Sequence, residues 1–455
     1  MATTKLTRTM GTQGSSIKGT FSAWVKRAST GSDHDIYQHN YSSNYRFAIR
    51  FRSTDSLSVG DYRNGWIMER DSNRLFRDCN AWYHIYVAID RSLATAGDRQ
   101  KVYVNGERLT SFSASTDYDQ QTSGGHTGSH SMNNDYTSII GGREDSTDYF
   151  DGCMSHLYWV DGSVIDIAQF GSTDATTGEW KINTSPTIAS YGENGHSHFK
   201  DVASINDASS EGNNFTLANG TLTKTEDNPS NVFATINSLS LYSHGGQKAV
   251  LEYGNLGVDS STGGTVNWYG ASTLGFDKGK FYWEVKNDTS SNTSLSVGVS
   301  TDPSRNQYED QACGARQSDI ATENYSGNIV INNTNASVGY GSTWTASGDV
   351  CMIAVDADNG KFYIGKNGTW ADSDNPSTNT GGYSMSTVTN VSGFYFPAFG
   401  STSNTYMNGF YVNFGGGSFG DTAISSAGTN ASGNGVFEYD CPTNFTALST
   451  KGLNI

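Results

Sequence analysis

Apolar and polar residues alternate with a period of two in several stretches of the first half of this chain. Residues 19–26 read GTFSAWVK, which puts the phenylalanine, the alanine and the valine on one face of a strand. Residues 45–52 read YRFAIRFR, in which aromatic and aliphatic residues alternate with arginine. Residues 82–90 read WYHIYVAID, and this nearly continuous apolar run predicts a central strand. Helical periodicity is confined to a short predicted turn at 165–170.

A second series of strands is predicted in the other half. The stretches are 281–286 (FYWEVK), 295–300 (LSVGVS), 349–356 (DVCMIAVD), 394–400 (FYFPAFG) and 409–415 (GFYVNFG). Fully apolar strands flanked by alternating ones predict two packed sheets, a sandwich, rather than an open meander. We expect Trp283, Phe362 and Phe414 to lie in its core.

One hairpin pattern occurs in each half. Residues 101–106 read KVYVNG, and residues 361–368 read KFYIGKNG. Asn-Gly tolerates positive φ at both central turn positions, as a tight type I′ hairpin requires. In both halves an apolar strand that ends in aspartate, at Asp90 or Asp356, comes just before the hairpin. The halves share this organisation, so the sequence predicts two sandwiches of related type.

Composition agrees with a large all-β protein and excludes some partners. Of 455 residues, 52 are glycine and 6 are proline, while aromatic residues make up 12% and charged residues 16%. The formal net charge is −16 at pH 7 and no stripe of lysine and arginine occurs, so we expect no nucleic-acid partner. No window approaches the about 18 apolar residues of a membrane span, so we expect no membrane insertion.

The cysteines and the N-terminal residues indicate the compartment in which the chain folds. The five cysteines are odd in number and none forms a C-x-x-C pair, which excludes a zinc ribbon and predicts buried free thiols. Free thiols fit assembly in a reducing cytosol. The opening MATTKLTRTMGTQGSS holds no apolar run, so we expect no signal peptide.

Several of these stretches carry a resemblance to known families. FSAWVKR at 21–27, WYHIYVAID at 82–90, KVYVNGERL at 101–109 and YFDGCMSHLYWVDG at 149–162 resemble the laminin-G/concanavalin-like jelly-roll family. GKFYWEV at 279–285, SVGVS at 296–300, DVCMIAVDADNGKFYIGKNGTW at 349–370, FPAFG at 396–400 and VNFGGGSF at 412–419 resemble a SPRY domain, itself a concanavalin-like sandwich.

The predicted fold class is all-β, with two concanavalin-like jelly-roll β-sandwiches in tandem. We expect the laminin-G/concanavalin-like sandwich at 1–170 and the SPRY-like sandwich at 236–455. Residues 171–235 are small, polar and turn-rich. They are too many for a plain linker, so they predict a partly irregular connecting region that wraps one of the sandwiches.

Three further stretches resemble bacteriophage tail-fibre and virion surface proteins, notably those of marine phages: FGSTDATTGEW at 170–180, DNPSNVFATINSL at 227–239 and CPTNFTALSTKGLNI at 441–455. The resemblance implies a virion structural protein, a fibre or adhesin that recognises a glycan or protein of the host surface. It also implies assembly in the host cytoplasm, display at the virion surface, other virion proteins as partners, and a homo-oligomer with a trimer favoured. Two alternatives stay open: a capsid or tail decoration protein that binds only other virion proteins, and a glycan depolymerase.

Paired carboxylates would mark a depolymerase. Retaining hydrolases of this fold carry Glu-x-Asp-x-x-Glu on one strand, with two carboxylates about 5 Å apart in one cleft. Residues 69–71 and 438–440 supply Glu-x-Asp, but Arg74 and Thr443 stand where the motif has its last glutamate. We therefore expect no enzymatic activity.

Loop aromatics are the candidate ligand contacts. Four of them lie in the loop-rich region 301–348 between predicted core strands: Tyr308, Tyr325, Tyr340 and Trp344. Ring faces beside asparagine and aspartate hold neutral sugars by stacking and by hydrogen bonds to hydroxyl groups. The alternative is that these rings pack under long loops or in a subunit interface.

We predict no cofactor. Calcium is the metal for which the sequence offers candidate ligands. Laminin-G-like modules often hold it with loop carboxylates and carbonyls, and the candidates here are Asp33, Asp35 and Asp151. His196 and His198 have a spacing that could bind a metal. We expect instead that they are ordinary exposed histidines of a polar, loop-like segment.

Overall fold

Two compact units, Met1–Thr223 and Lys224–Ile455, make up the protein in a computed structural model. The structure describes residues 3–121, 131–133, 135–200, 204–244, 249–258, 267–288, 295–304, 312–401 and 409–454. In these residues the regular structure is strand and short 3-10 turns, so the predicted all-β class is confirmed. No helix within them is long and apolar enough to cross a membrane. The unit boundary divides the predicted connecting region, with 171–223 in the first unit and 224–235 in the second.

The first unit packs two sheets around a shared core. Its described strands are β1 (Lys5–Thr9), β2 (Lys18–Arg27), β3 (His34–Ser42), β4 (Tyr45–Phe51), β5 (Ser56–Arg63), β6 (Trp66–Leu75), β7 (Tyr83–Asp90), β8 (Gln100–Val104), β9 (Glu107–Arg108), β10 (Phe112–Thr116), β11 (Thr137–Ile140), β12 (Gly152–Asp161), β13 (Gly171–Thr173), β14 (Trp180–Ile182), β15 (His196–His198) and β16 (Thr216–Asn219). In the part of the chain described, the larger sheet has the order β10-β6-β5-β4-β3-β11-β1-β16, and the smaller has the order β15-β12-β2-β7-β8-β9.

Period-two alternation decides which side chains fill this core. Phe21 and Val25 of β2 join Phe47 and Ile49 of β4 in one fully buried cluster between the sheets. Each apolar side chain buried in this way contributes about 1.5–3 kcal/mol. The predicted central strand is β7, which pairs with β2 on one side and β8 on the other.

The second unit repeats the two-sheet plan. Its described strands are β17 (Tyr242–His244), β18 (Leu251–Glu252), β19 (Gly257–Val258), β20 (Asn267–Ala271), β21 (Lys280–Asn287), β22 (Leu295–Ser300), β23 (Asp319–Glu323), β24 (Ile329–Ile331), β25 (Thr334–Ser337), β26 (Val350–Asp356), β27 (Lys361–Lys366), β28 (Thr369–Trp370), β29 (Tyr383–Ser384), β30 (Phe396–Ser401), β31 (Phe410–Asn413), β32 (Ser418–Phe419), β33 (Thr422–Ala423) and β34 (Thr446–Ala447). Within the described residues one sheet has the order β17-β20-β30-β22-β23-β24-β25, and the other follows β18-β19-β31-β21-β26-β27-β28. Trp283, Phe362 and Phe414 lie in the core between them, as predicted.

The repeated hairpin is confirmed, and its asparagine has a second task. Asn105 and Asn367 have φ of 51° and 47°, the left-handed conformation that the turn needs. In the first unit the side chain of Asn105 accepts a hydrogen bond from the backbone N–H of His84 at 2.7 Å. In the second unit Asn367 accepts one from the backbone N–H of Val350 at 2.8 Å. Each asparagine therefore extends the strand ladder with its own amide group.

Later parts of the chain cover the outer face of the hairpin-bearing sheet in each unit. We call residues 165–191 the first strap and residues 428–447 the second strap. The first packs on Tyr86 and Tyr158, and the second packs on Tyr282. Much of the region read as a connecting segment therefore serves as a cover of the first sandwich.

Glu284, a fully buried residue of β21, anchors the second strap. Its carboxylate accepts hydrogen bonds from the backbone N–H groups of Glu438 at 2.9 Å and Tyr439 at 2.8 Å. The Tyr282 hydroxyl at 3.0 Å and the Asn413 amide at 3.3 Å donate to it as well. Burial raises the pKa of Glu284 to about 7, and the hydrogen bonds oppose this shift without cancelling it.

One expectation about loops was wrong. His196 and His198 lie on β15 with at most 1% of their surface exposed, and their rings pack on Phe215. β15 carries serine and histidine instead of aliphatic residues. Its sequence is therefore polar, and the alternation of apolar residues that predicts a strand is absent. The region 301–348 also contains strands, since β23, β24 and β25 complete one sheet of the second unit there.

Replacing Asn367 by glycine tests the bridging amide without adding backbone strain. Glycine accepts the positive φ, but the Val350 N–H loses its acceptor, so we expect the free energy of unfolding to fall by about 1–2 kcal/mol. Amide hydrogen exchange at Val350 should accelerate. The matched control is Asn332→Gly, at φ 54° in the turn between β24 and β25. Equal stability losses in the two variants, or unchanged exchange at Val350, would contradict the role of the Asn367 side chain as the acceptor for the Val350 N–H.

Glu284 predicts a pH dependence of stability in the second unit. Its folded pKa of about 7 lies above the ordinary value of 4.5, so the folded protein holds this proton more tightly than the unfolded chain. The resulting stability, about 3 kcal/mol, is complete below pH 4.5 and is lost as pH rises to about 7. Urea unfolding of the protein and of Glu284→Gln across this window should give a difference that changes with pH. A difference that stays constant would refute the prediction.

Candidate functional site

Strands β3 to β6 lie side by side in the larger sheet of the first unit and present one face away from the core. Successive side chains of a strand point to opposite faces. Phe47, Ile49 and Val59 belong to the buried core. Ala48 and Gly60 alternate with them along β4 and β5, so these two residues face outward.

Strand register aligns the outward residues of these four strands in three rows. We call the twelve residues the polar face: Asp35, Arg50, Ser58 and Asp71 in the first row, Gln38, Ala48, Gly60 and Glu69 in the second, and Asn40, Arg46, Tyr62 and Trp66 in the third. Neighbouring strands lie about 4.8 Å apart, so polar groups recur at that spacing across the sheet.

Two aromatic rings close one end of the polar face, and its middle is built from small residues. A Cβ atom on Gly60 would lie 2.4 Å from the Cζ3 atom of Trp66, so the indole ring rests directly on this glycine. The rings of Tyr62 and Trp66 meet edge to face with centroids 5.1 Å apart. The guanidinium group of Arg46 lies 5.6 Å from the centroid of Tyr62. Arg46, Tyr62 and Trp66 are all partly exposed, so the two rings offer some aromatic surface to solvent.

Buried polar atoms on the same face are incompletely paired. Asp35 accepts a hydrogen bond from the side chain of Gln38 at 2.7 Å. Within the described residues, Asp35 Oδ1, Gln38 Oε1 and Asn40 Nδ2 have no hydrogen-bond partner. Burial raises the pKa of Asp35 to about 7, against the charge of Arg50. An unpaired buried polar atom costs about 1–3 kcal/mol, and these three atoms lie beneath the surface, since Asp35 and Gln38 are 0% exposed and Asn40 is 4% exposed.

Glu69 and Asp71 are the carboxylates of β6 on this face. Burial raises the pKa of Glu69, and the charge of Asp71 adds to the shift. Asp71 accepts a hydrogen bond from the hydroxyl of Ser56 at 2.5 Å. Arg74 forms an ion pair with Glu107 at 3.4 Å. A cation therefore stands at the sequence position where the hydrolase motif places its second catalytic glutamate.

Three tyrosines form a further aromatic group near the ends of β3, β4 and β11. Tyr41 is 68% exposed, and its ring centroid lies 4.8 Å from that of Tyr136 and 6.2 Å from that of Tyr45. The guanidinium group of Arg63 lies 4.8 Å from the Tyr45 centroid. Asn64 donates a hydrogen bond to the Tyr45 hydroxyl at 2.7 Å. The group joins ring faces to amide and guanidinium donors, and Tyr45 directly precedes Arg46 of the polar face.

The predicted calcium ligands each have a protein partner. Asp33 accepts a hydrogen bond from the backbone N–H of Ser53 at 2.6 Å, and Asp151 accepts one from the hydroxyl of Ser29 at 2.7 Å. Asp35 belongs to the polar face. Across the described ranges, no group of three or more His, Cys, Asp or Glu side chains is placed to hold a metal ion. Calcium at these residues stays a prediction.

The four predicted aromatic contacts have different surroundings. Tyr308 lies outside the described residues. Tyr325 is 47% exposed and lies two residues after the end of β23. Tyr340 donates a hydrogen bond to Asp374 at 2.5 Å, which together with burial raises its pKa. Trp344 is 2% exposed and belongs to the core of the second unit, where it also lines a cavity.

Sequence reasoning did not single out the polar face, although a signal was present. In YRFAIRFR the arginines alternate with core residues, which already assigns Arg46 and Arg50 to the outward side. A single strand does not reveal its cross-strand neighbours. Asn40, Tyr62 and Trp66 join Arg46 only through the register of four strands.

Comparison with protein families finds two matches in the chain. The Concanavalin A-like lectin/glucanases superfamily matches residues 6–164, and the SPRY domain matches residues 280–416. No curated protein sequence matches the chain.

Three solved structures are similar to parts of the chain. The SPRY domain of human HERC1 is 16% identical with a TM-score of 0.29, over 42% of this chain and 99% of that chain. A putative carbohydrate binding protein from Bacteroides ovatus is 18% identical with a TM-score of 0.31, over 48% of this chain and 57% of that one. A heptameric SAP-like pentraxin from Limulus polyphemus is 15% identical with a TM-score of 0.25, over 36% and 71%. By its two family matches, the chain carries a laminin-G/concanavalin A-like domain followed by a SPRY domain.

Proposed function

We propose that this is a non-enzymatic carbohydrate-binding protein and that the polar face of the first unit holds the glycan. The observation that carries the proposal is the three-row register of β3 to β6. It joins amide, carboxylate and guanidinium groups to the aromatic pair Tyr62 and Trp66. Sugar rings stack on aromatic faces through their C–H groups, while their hydroxyls need donors and acceptors close by.

The arrangement suits an extended glycan that crosses the strands. Ring contacts at Tyr62 and Trp66 would hold one sugar residue, and the partly exposed carboxylates of Glu69 and Asp71 would accept hydrogen bonds from a neighbouring one. The match to a superfamily of lectins and glucanases supports a sugar ligand for this unit.

The carboxylates on this face favour a protein that binds a glycan without hydrolysing it. Glu69 and Asp71 could polarise a sugar hydroxyl, but a retaining mechanism needs a second carboxyl group about 5 Å from the nucleophile. Arg74 stands at the motif position of that group and is paired with Glu107. We therefore infer that Glu69 and Asp71 act as hydrogen-bond acceptors for the ligand.

The finer proposal is that the protein is displayed at a virion surface and recognises a host glycan. It is supported by the resemblance of residues 170–180, 227–239 and 441–455 to phage fibre proteins. A net charge of −16 keeps such a protein soluble and disfavours adsorption to nucleic acid. Other virion proteins and two further copies of this chain are the proposed partners.

Trp66→Ala tests the binding face. Loss of the stacking surface should weaken binding to a bacterial surface polysaccharide, selected first on a glycan array, by tenfold or more, as measured by isothermal titration calorimetry. The matched control is Tyr325→Ala, which removes an exposed ring from the second unit. Equal affinity of Trp66→Ala and the unmodified protein refutes the proposal. Loss of binding in Tyr325→Ala alone would move the site to the second unit.

Virion display predicts a defined location on an intact particle. Antibody-gold labelling of phage particles that carry this chain should mark the particle exterior, and light scattering of the purified chain should give the mass of a trimer. Label confined to lysed particles would overturn surface display. If the chain binds no glycan and binds only other virion proteins, the result would favour the decoration protein instead.

A further inference from the structure

We propose that the SPRY domain contains a second, separate sugar-binding site, a cavity beside Trp370 that takes the end residue of a glycan carrying an N-acetylated hexosamine. The inference shares only the class of ligand with the proposed function, because its residues all belong to the second unit. The cavity has a volume of about 340 Å³. Ligand pockets span about 300–1,000 Å³, so this one accommodates a single sugar residue better than a chain.

The hairpin that recurs in both units builds one wall of this cavity. The Asn367-Gly368 turn joins β27 to β28 and returns the chain so that Lys366 and Trp370 both line the space. Trp370 packs against Gly365 on the neighbouring strand, where a Cβ atom would lie 3.2 Å from its ring. The indole ring itself packs towards Tyr282 on the outer face of the sheet, with ring centroids 6.2 Å apart, so Trp370 closes this edge of the cavity.

Two buried polar groups in the lining have no hydrogen-bond partner within the described residues. They are the indole N–H of Trp344 and the hydroxyl of Thr322, on side chains that are 2% and 1% exposed. An indole N–H only donates, so its missing partner must be an acceptor. Leaving such groups unpaired is costly, and a ligand that supplies oxygen atoms to both removes the cost.

The rest of the lining restricts the chemistry of the ligand. Cys351 and Ile364 contribute an apolar part, and burial raises the pKa of the Cys351 thiol, which keeps it uncharged. Lys366 forms an ion pair with Asp349 at 2.9 Å and donates a hydrogen bond to the Thr343 carbonyl at 2.8 Å. The cation is therefore compensated, which favours a neutral ligand over an anionic one.

An acetamido group matches this combination. Its carbonyl oxygen can accept the indole N–H of Trp344, and its methyl group can lie against Cys351 and Ile364. A ring hydroxyl of the same sugar then reaches Thr322. A hexose without the acetamido group would leave the indole N–H unpaired and the apolar part unfilled, so it should bind at least about tenfold more weakly.

The test is a titration of the full chain with N-acetylglucosamine, with N-acetylgalactosamine and with the parent hexose of each. Binding is measured by NMR saturation transfer and by calorimetry. We expect saturable binding of at least one N-acetylated sugar and about tenfold weaker binding of its parent. Thr322→Val keeps the side-chain shape but removes the hydroxyl, so it should weaken binding about tenfold. Thr322→Ser keeps the hydroxyl and should restore affinity to within a few-fold.

Two further variants separate this site from its alternatives. Trp344→Phe removes the indole N–H and should abolish the preference for the N-acetylated sugar over its parent. Phe394→Ala, which removes an exposed ring of the second unit outside the cavity lining, should leave monosaccharide affinity unchanged. Polysaccharide binding by Trp66→Ala is measured separately, so failure of one site does not imply failure of the other. Equal affinity for both sugars of a pair, unaltered affinity in Thr322→Val, or no saturable binding of either N-acetylated sugar at millimolar concentrations would overturn the inference.

Discussion

The fold and both candidate sites depend on one constraint: a strand that buries one face must present every second residue on the other. In the first unit Phe47 and Ile49 fill the core, and the same strand therefore carries Ala48 and Arg50 outward. The core residues hold the backbone in register, so the outward residues are fixed in rows without contributing to that core themselves. Binding chemistry can change on the outward side while the inward side continues to specify the sandwich.

The two units share a structural feature at the Asn-Gly turn of the hairpin. In each, the asparagine of the hairpin caps the ladder with its side-chain amide, and the following glycine accepts an aromatic ring from a later segment. A Cβ atom on Gly106 would lie 2.4 Å from the Trp180 ring, and one on Gly368 would lie 3.0 Å from the Tyr439 ring. Glycine at these positions thus serves both the positive φ of the turn and the close approach of the strap. The hairpin pattern was readable from the sequence because the positive φ of the turn is a local requirement. The strap was not, because it comes from about 70 residues further along the chain in each unit.

The sequence predicted the strands best where a core position alternates with a polar one. β22 begins and ends where the LSVGVS pattern does, and the apolar run before each hairpin became a central strand. β15 escaped because its buried side chains are histidine and serine, whose burial depends on neighbours such as Phe215. The polar face escaped for the same reason, whereas the sequence singles out Trp344 of the second site as a loop aromatic. Trp66 owes its role to register with Tyr62, and Trp344 owes its place in a cavity to packing between two sheets.

Covering one sheet face decides where a ligand can bind. The straps close the outer faces of the hairpin-bearing sheets, where Tyr86 and Tyr282 would otherwise expose apolar surface. In the first unit this leaves the other sheet to present the polar face. In the second unit the outer face of the other sheet carries Tyr269 and Ala398 in a buried apolar cluster, which offers few polar groups to a sugar. Two unpaired polar groups of the second unit, on Trp344 and Thr322, instead line the cavity near Trp370, which is why we assign a face to the first unit and a cavity to the second.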